Sequence, residues 1–148
     1  MPDMNLKDLA TRMAQIDFCQ LMTRTEGGAL AGRPMSNNGD VDYDGTSRFF
    51  ALDTTRMVAD IRRDPEVALS MQGSAGLAGV VGKPPAFLCV QGRAEIVTDR
   101  AAMDAHWNPD LEYWFKDGTA TPGLVMIVVR ARRIACWDGE DSADLVLG

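Results

Sequence analysis

The side chains able to do chemistry gather at one junction. Phe49-Phe50-Ala51-Leu52-Asp53-Thr54-Thr55-Arg56 reads as a strand running into a helix, with two hydroxyls and a guanidinium at the changeover. The unpaired N–H groups and dipole of a helix start favour an anion, and Arg56 adds a charge-assisted donor, so the segment suits a terminal phosphate. It equally suits plain capping of the helix by Thr54 or Thr55. A second segment, Gly32-Arg33-Pro34-Met35, closes a strand. Proline cannot donate to a ladder and marks a sheet margin; the arginine beside it either faces the polar edge of a ligand or is solvated.

Other chemistries lack their parts. His106 is the only histidine, next to Trp107 in a helical stretch, and no serine sits in a nucleophile elbow, so a Ser-His-Asp triad has no footing. Cys19, Cys89 and Cys136 are odd in number and far apart in apolar runs. With a single histidine they offer neither a zinc spacing nor a disulfide framework, and no metal is expected. They read as buried or half-buried thiols of a cytoplasmic protein. Gly76-Leu77-Ala78-Gly79 and Val80-Val81-Gly82 approximate spaced glycines, but no strand precedes them and no helix follows, so they are not a dinucleotide fingerprint. No side chain reads as an obligatory catalytic acid or base. Any reactivity would belong to a bound cofactor.

The elements that must position these residues alternate between short strands and shorter helices. Asn5 caps a helix over 6–15, on which Leu6, Leu9 and Met13 recur at helical spacing. Strand character follows at 17–25, and Glu26-Gly27-Gly28 turns it into a second strand at 29–36. Turn signals at Asn37–Asp40 and Asp44-Gly45 bracket a short stretch at 41–43, before a strand at 47–52. A helix at 55–63 stops at Asp64-Pro65, because the proline ring disfavours helical geometry in the preceding residue. Strands are expected at 67–72 and 87–97, the latter with a bulge or bend at Gly92, around a Gly/Ala/Pro-rich loop at 73–85. A helix at 100–107, broken by Asn108-Pro109, and a further turn at 111–115 lead to strands at 124–132 and 134–137. The tally predicts a mainly β fold: a six- to seven-stranded antiparallel barrel in a single domain over 1–148, with an N-terminal helix within 1–16 and a loose acidic tail at 139–148.

Composition narrows the partners. The 148 residues are 46% hydrophobic and 24% charged, the profile of a packed globular domain. The net charge of −6, with Asp138, Glu140, Asp141 and Asp144 among the last eleven residues, opposes nucleic-acid binding, which needs basic surface to neutralise phosphates. It also disfavours an anionic membrane face. The longest apolar run, Leu124–Val129, is far short of the roughly 20 residues of a membrane span, and Met1–Gln15 lacks the apolar region of a secretory leader.

Taken in order, the segments resemble the pyridoxamine 5′-phosphate oxidase-like flavoproteins, and more closely their general stress protein branch. The resemblance runs from about Asp17 to Gly139. It rests on Gly-Arg-Pro-Met at 32–35, Phe-Phe at 49–50, Thr-Thr-Arg at 54–56, Ile-Arg-Arg-Asp-Pro at 61–65, Gly-Arg-Ala-Glu at 92–95, Trp-Asn-Pro at 107–109, Trp-Phe-Lys-Asp-Gly at 114–118 and Cys-Trp-Asp at 136–138. It implies a split-barrel homodimer with a flavin, FMN or else FAD, at the subunit interface. By that resemblance Arg33, Pro34, Met35 and Ser36 lie along the isoalloxazine ring. Phe50 and Ala51 line its path towards the ribityl chain, and Thr54, Thr55 and Arg56, with Met57 next in line, mark the phosphate end. Trp137 approaches from the other subunit, unless it is a core aromatic at a strand end. Trp107 and Trp114 are further candidates for the site or for packing. The implied function is flavin binding, with flavin-dependent oxidoreductase activity on a small-molecule ligand of unknown identity. A non-catalytic flavin sensor, or a barrel using deazaflavin or haem, are the alternatives.

The chain departs from the family at three points. Met57 stands where the family often has a second phosphate-binding cation, a contact worth about 1.5–3 kcal/mol. Phe87 aligns with the glutamine of true oxidases. No basic residue follows Arg133, where those oxidases carry a substrate-binding Arg/His segment, and this argues against vitamin B6 oxidation.

Overall fold

Short polar residues set where each helix begins. In the computed structural model, which describes residues 4–36, 43–73, 85–139 and 141–147, Asn5 and Asp8 exchange side-chain-to-backbone hydrogen bonds of 2.9 Å. This capping box starts α1 (Leu6–Met13), which buries Leu9 and Met13. Thr55 starts α2 (Arg56–Arg63) by accepting the Val58 N–H at 3.3 Å, and Asp99 starts α3 (Arg100–His106) by accepting the Ala102 N–H at 3.1 Å. Two 3-10 turns, Pro109–Tyr113 and Gly118–Ala120, follow.

The strands are β1 (Phe18–Arg24), β2 (Leu30–Ser36), β3 (Thr46–Leu52), β4 (Glu66–Gln72), β5 (Phe87–Val97), β6 (Leu124–Asp138) and β7 (Asp141–Val146). All pair antiparallel in one sheet of order β2-β1-β4-β5-β6-β3, with β7 also on β6. Met35 of one outer strand and Phe49 and Ala51 of the other pack into the same cluster as Leu21, Leu69, Val90 and Ile134, so the sheet curls around one core. Each such side chain, fully buried, contributes about 1.5–3 kcal/mol. A smaller cluster of Phe50, Met103, Leu124, Met126 and Val128 lies on the other face of β3 and β6, under α3 and the first 3-10 turn. The adjacent phenylalanines 49 and 50 therefore serve opposite faces, as strand alternation requires.

The expected bulge in the long strand is present: the β5–β6 register shifts between Gln91 and Gly92. A Cβ on Gly92 would stand 2.5 Å from the Arg130 carbonyl oxygen, so only glycine fits there.

The C-terminal end departs from expectation. The stretch 139–148, anticipated as a loose acidic tail, holds β7, paired with β6 from Arg133–Val146 to Asp138–Asp141. Ala143, Leu145 and Leu147 pack against the core, while Asp144 faces outward and accepts Arg133 Nε at 2.7 Å. The two expected strands at 124–132 and 134–137 are one 15-residue strand, whose first half pairs β3 and second half β7 along a single edge. The turn expected at Asn37–Asp40, most of the 41–43 stretch and nearly all of the 73–85 loop lie outside the described residues. Among the described residues no helix is long and apolar enough to cross a membrane.

Candidate functional site

The corner between β3 and α2 is tied down by its backbone. The Asp53 N–H donates to the Gly123 carbonyl at 2.8 Å and the Thr55 N–H to the Leu52 carbonyl at 3.1 Å. The Thr55 hydroxyl is committed to the cap, while Thr54 and Arg56 are exposed. Arg56 makes no ion pair among the described residues. The first N–H groups of α2 have no preceding turn to accept them, so this corner presents donors and one free cation. Met57, grouped with this corner by sequence, is instead 3% exposed and packs in the core with Val58 and Ile61. Helical spacing turns it inward, away from the face that carries Arg56.

Alternation along β2 divides the residues expected to lie along one ligand. Arg33 and Met35 are half-buried on the inner face, Met35 against the core, while Pro34 and Ser36 are exposed on the outer face. Their side chains leave the strand on two faces, and the backbone between them is common to both. Phe50 and Ala51 divide in the same way, into the outer and inner clusters.

Arg33 enters a polar network that the sequence did not reveal. Asp60 of α2, 3% exposed, accepts Thr23 Oγ1 of β1 at 2.9 Å and Arg63 Nη2 at 3.0 Å. Arg63 Nη2 also donates to the Arg24 carbonyl at 2.9 Å. Burial alone would raise the Asp60 carboxyl, but the bonds from Arg63 and Thr23 and the charges of Arg63 and Arg33 hold it below the ordinary carboxylate range. Arg33 Nε is buried and has no hydrogen-bond partner among the described residues. The one available sequence signal was an acid set in the apolar stripe of Met57, Val58 and Ile61.

Trp137 lies elsewhere. It is 51% exposed near the end of β6, opposite Phe87, which is 40% exposed. The Cys19–Met71 and Gln72–Phe87 pairings set Phe18, 59% exposed, on the same row, so three aromatic rings share one level of the outer face. Leu124, at the other end of β6, pairs with Leu52 beside the α2 corner. At a rise of about 3.3 Å per residue these ends are at most roughly 40 Å apart along the strand.

A family model described as pyridoxamine 5′-phosphate oxidase like matches residues 4–147. The chain belongs to the pyridoxamine 5′-phosphate oxidase-like family. No curated protein matches it. Among solved structures, a Clostridium acetobutylicum protein related to general stress protein 26, of the pyridoxinephosphate oxidase family, is similar at 17% identity and TM-score 0.77, covering 96% of this chain and 94% of that one. General stress protein 26 of Bacillus anthracis is similar at 21% identity and TM-score 0.74, covering 97% and 100%. A heme-binding protein of Mycobacterium smegmatis matches at 15% identity and TM-score 0.75, covering 99% of this chain and 59% of that one. The curled sheet is thus the split barrel of the pyridoxamine 5′-phosphate oxidase-like fold.

On that barrel Trp107 packs edge-on against Phe50, centroids 4.9 Å apart, and against Phe115 at 6.3 Å, and its buried Nε1 has no partner among the described residues. Trp114, 64% exposed, leans on the exposed Tyr113. His106 is held below its usual pKa by burial and then by the Arg48 charge. Burial pushes the Cys19 thiol up to about 12, which removes it as a thiolate nucleophile. Among the described residues, no three or more His, Cys, Asp or Glu side chains are grouped to hold a metal ion.

Proposed function

We propose that this chain binds a flavin, FMN or its larger relative FAD, in a cleft shared by two copies of itself. The observation that carries the reading is Arg33 Nε, a buried donor without a partner among the described residues, on the strand the family resemblance assigns to the ring. Such a donor is costly unless something accepts from it. The donor set fits the rest of the molecule. Arg56, the Thr54 hydroxyl and the first N–H groups of α2 would hold the phosphate, and Arg33 with the Met35 side chain would border the ring. Trp137 of a second copy would cover it, as the family resemblance implies, because Trp137 is half exposed on the outer face of its own barrel. The row of Phe18, Phe87 and Trp137 supplies the apolar surface on which a second copy would seat.

When bound, the isoalloxazine ring would supply the redox chemistry. The chain would bind and orient it, and a small-molecule substrate would react with little help from ionisable side chains. The free thiols of Cys19, Cys89 and Cys136 suit a reducing compartment, and we assign the protein to the cytoplasm.

The test is the absorption spectrum of the purified protein, the mass of any released cofactor, and titration with FMN, riboflavin and FAD. A flavin spectrum, or saturable FMN binding near one per chain, supports the reading. A haem or deazaflavin spectrum, or no flavin binding, overturns it. Sustained NAD(P)H oxidation by the loaded protein assigns an oxidoreductase; flavin bound without turnover assigns a binding or sensing role.

A further inference from the structure

We propose that Asp60 is a positioning residue. It fixes the Arg33 guanidinium on the inner face of β2, so that Nε–H is left facing the ligand cleft, and thereby links the ring end of the site to the helix that holds the phosphate end. The inference rests on the flavin reading for its ligand, but its first half concerns the protein alone.

Three elements meet at one carboxylate. Asp60 stands one turn along α2 from Arg56, is buried, and receives Thr23 Oγ1 of β1 at 2.9 Å and Arg63 Nη2 at 3.0 Å. Arg33 faces Leu21 in the β1–β2 ladder and Thr23 faces Ala31, which makes Arg33 and Thr23 diagonal neighbours on the inner face. That places the arginine about 7–8 Å from the threonine that grips Asp60, near enough for its charge to act on the carboxylate. Thr23 and Arg63 each hold one of the two carboxylate oxygens, and among the described residues no hydrogen bond or ion pair joins Arg33 to Asp60. The carboxylate therefore acts on Arg33 through its charge, and the buried Nε–H has no partner among those residues. One carboxylate among two guanidinium groups also leaves a net positive charge beside β2, which suits the electron-rich oxygen and nitrogen edge of a flavin ring.

A role confined to structure would weaken folding without any specific effect on Arg33. The positioning role makes three distinct demands. In the protein without cofactor, NMR of the arginine Nε–H groups should show a slowly exchanging Arg33 signal that is lost or broadened in Asp60→Asn. In binding titrations Asp60→Asn should weaken FMN and riboflavin equally, by about tenfold, because the ring and not the phosphate is affected. Added to Arg33→Gln, Asp60→Asn should cost nothing more. Thr23→Val, which loosens the same carboxylate while preserving shape, should give a smaller change of the same kind and serves if Asp60→Asn folds poorly. An unchanged Arg33 signal in both variants, or losses of affinity that add in the double variant, overturn the proposal. If the protein binds no flavin but the Arg33 signal responds to Asp60→Asn, the anchoring stands and the flavin assignment is what fails.

Discussion

Trp137 stands directly opposite Phe87 across the β5–β6 ladder, with both rings turned outward rather than into the core. Two exposed aromatics side by side, with Phe18 on the same row, form the kind of patch that proteins use for association. Trp137→Asp and Phe87→Asp should leave a folded monomer, because neither ring is needed inside the barrel. Sedimentation equilibrium of wild type and variants measures this directly. A wild-type protein that is monomeric at micromolar concentration refutes the shared cleft.

Arg56→Ala is expected to weaken FMN by at least about tenfold and riboflavin hardly at all, since only FMN carries the phosphate. Calorimetric titration with both ligands decides it. Equal losses would place Arg56 away from the phosphate. The contrast with Asp60→Asn, where both ligands should lose together, separates the two ends of the site.

Gly92→Ala should destabilise the fold by about 1–3 kcal/mol, the usual scale for overpacking. The new methyl would meet the Arg130 carbonyl oxygen at 2.5 Å and Val129 Cγ1 at 3.2 Å, and the paired β6 backbone has little freedom to retreat. Urea unfolding of the two proteins measures the difference. A change within error would mean the bulge relaxes freely.

Acid should act on Asp60. Its carboxyl is lower in the folded protein than in the unfolded chain, where an aspartate titrates near 3.9. Its contribution to stability is therefore complete above the unfolded value and is lost as pH falls through the folded one. Unfolding free energy should decline from roughly pH 5 downward, and less steeply in Asp60→Asn. Identical slopes for the two proteins would show that the carboxylate is not held by its cationic neighbours.

Local residues announced most of the architecture. Asn5, Thr55 and Asp64-Pro65 mark helix ends through short-range bonds and ring sterics, and the β5 limits at Phe87 and Val97 follow from alternation and flanking turns. The site was legible only as an order of motifs. Asp60 meets Thr23 across 37 positions of sequence, and no local pattern encodes that encounter. The inward turn of Met57 and the parting of Arg33 from Pro34 depend on which face of each element the fold buries. The strand β7 was hidden because its outward positions carry acids, and acids beside glycine look like a tail until a neighbouring arginine such as Arg133 receives them.

Sharing one border of β6 between two short strands, β3 above and β7 below, divides its protection into separable parts. Peeling away the six residues of β7 would bare the backbone of Arg133–Asp138 while Thr46–Leu52 stayed in register. An opened molecule of this sort uncovers the part of the core that Ala143, Leu145 and Leu147 pack against and offers a template on which another copy's β7 could settle. At high concentration, exchange of that flap between molecules is the route by which this barrel would lose its solubility.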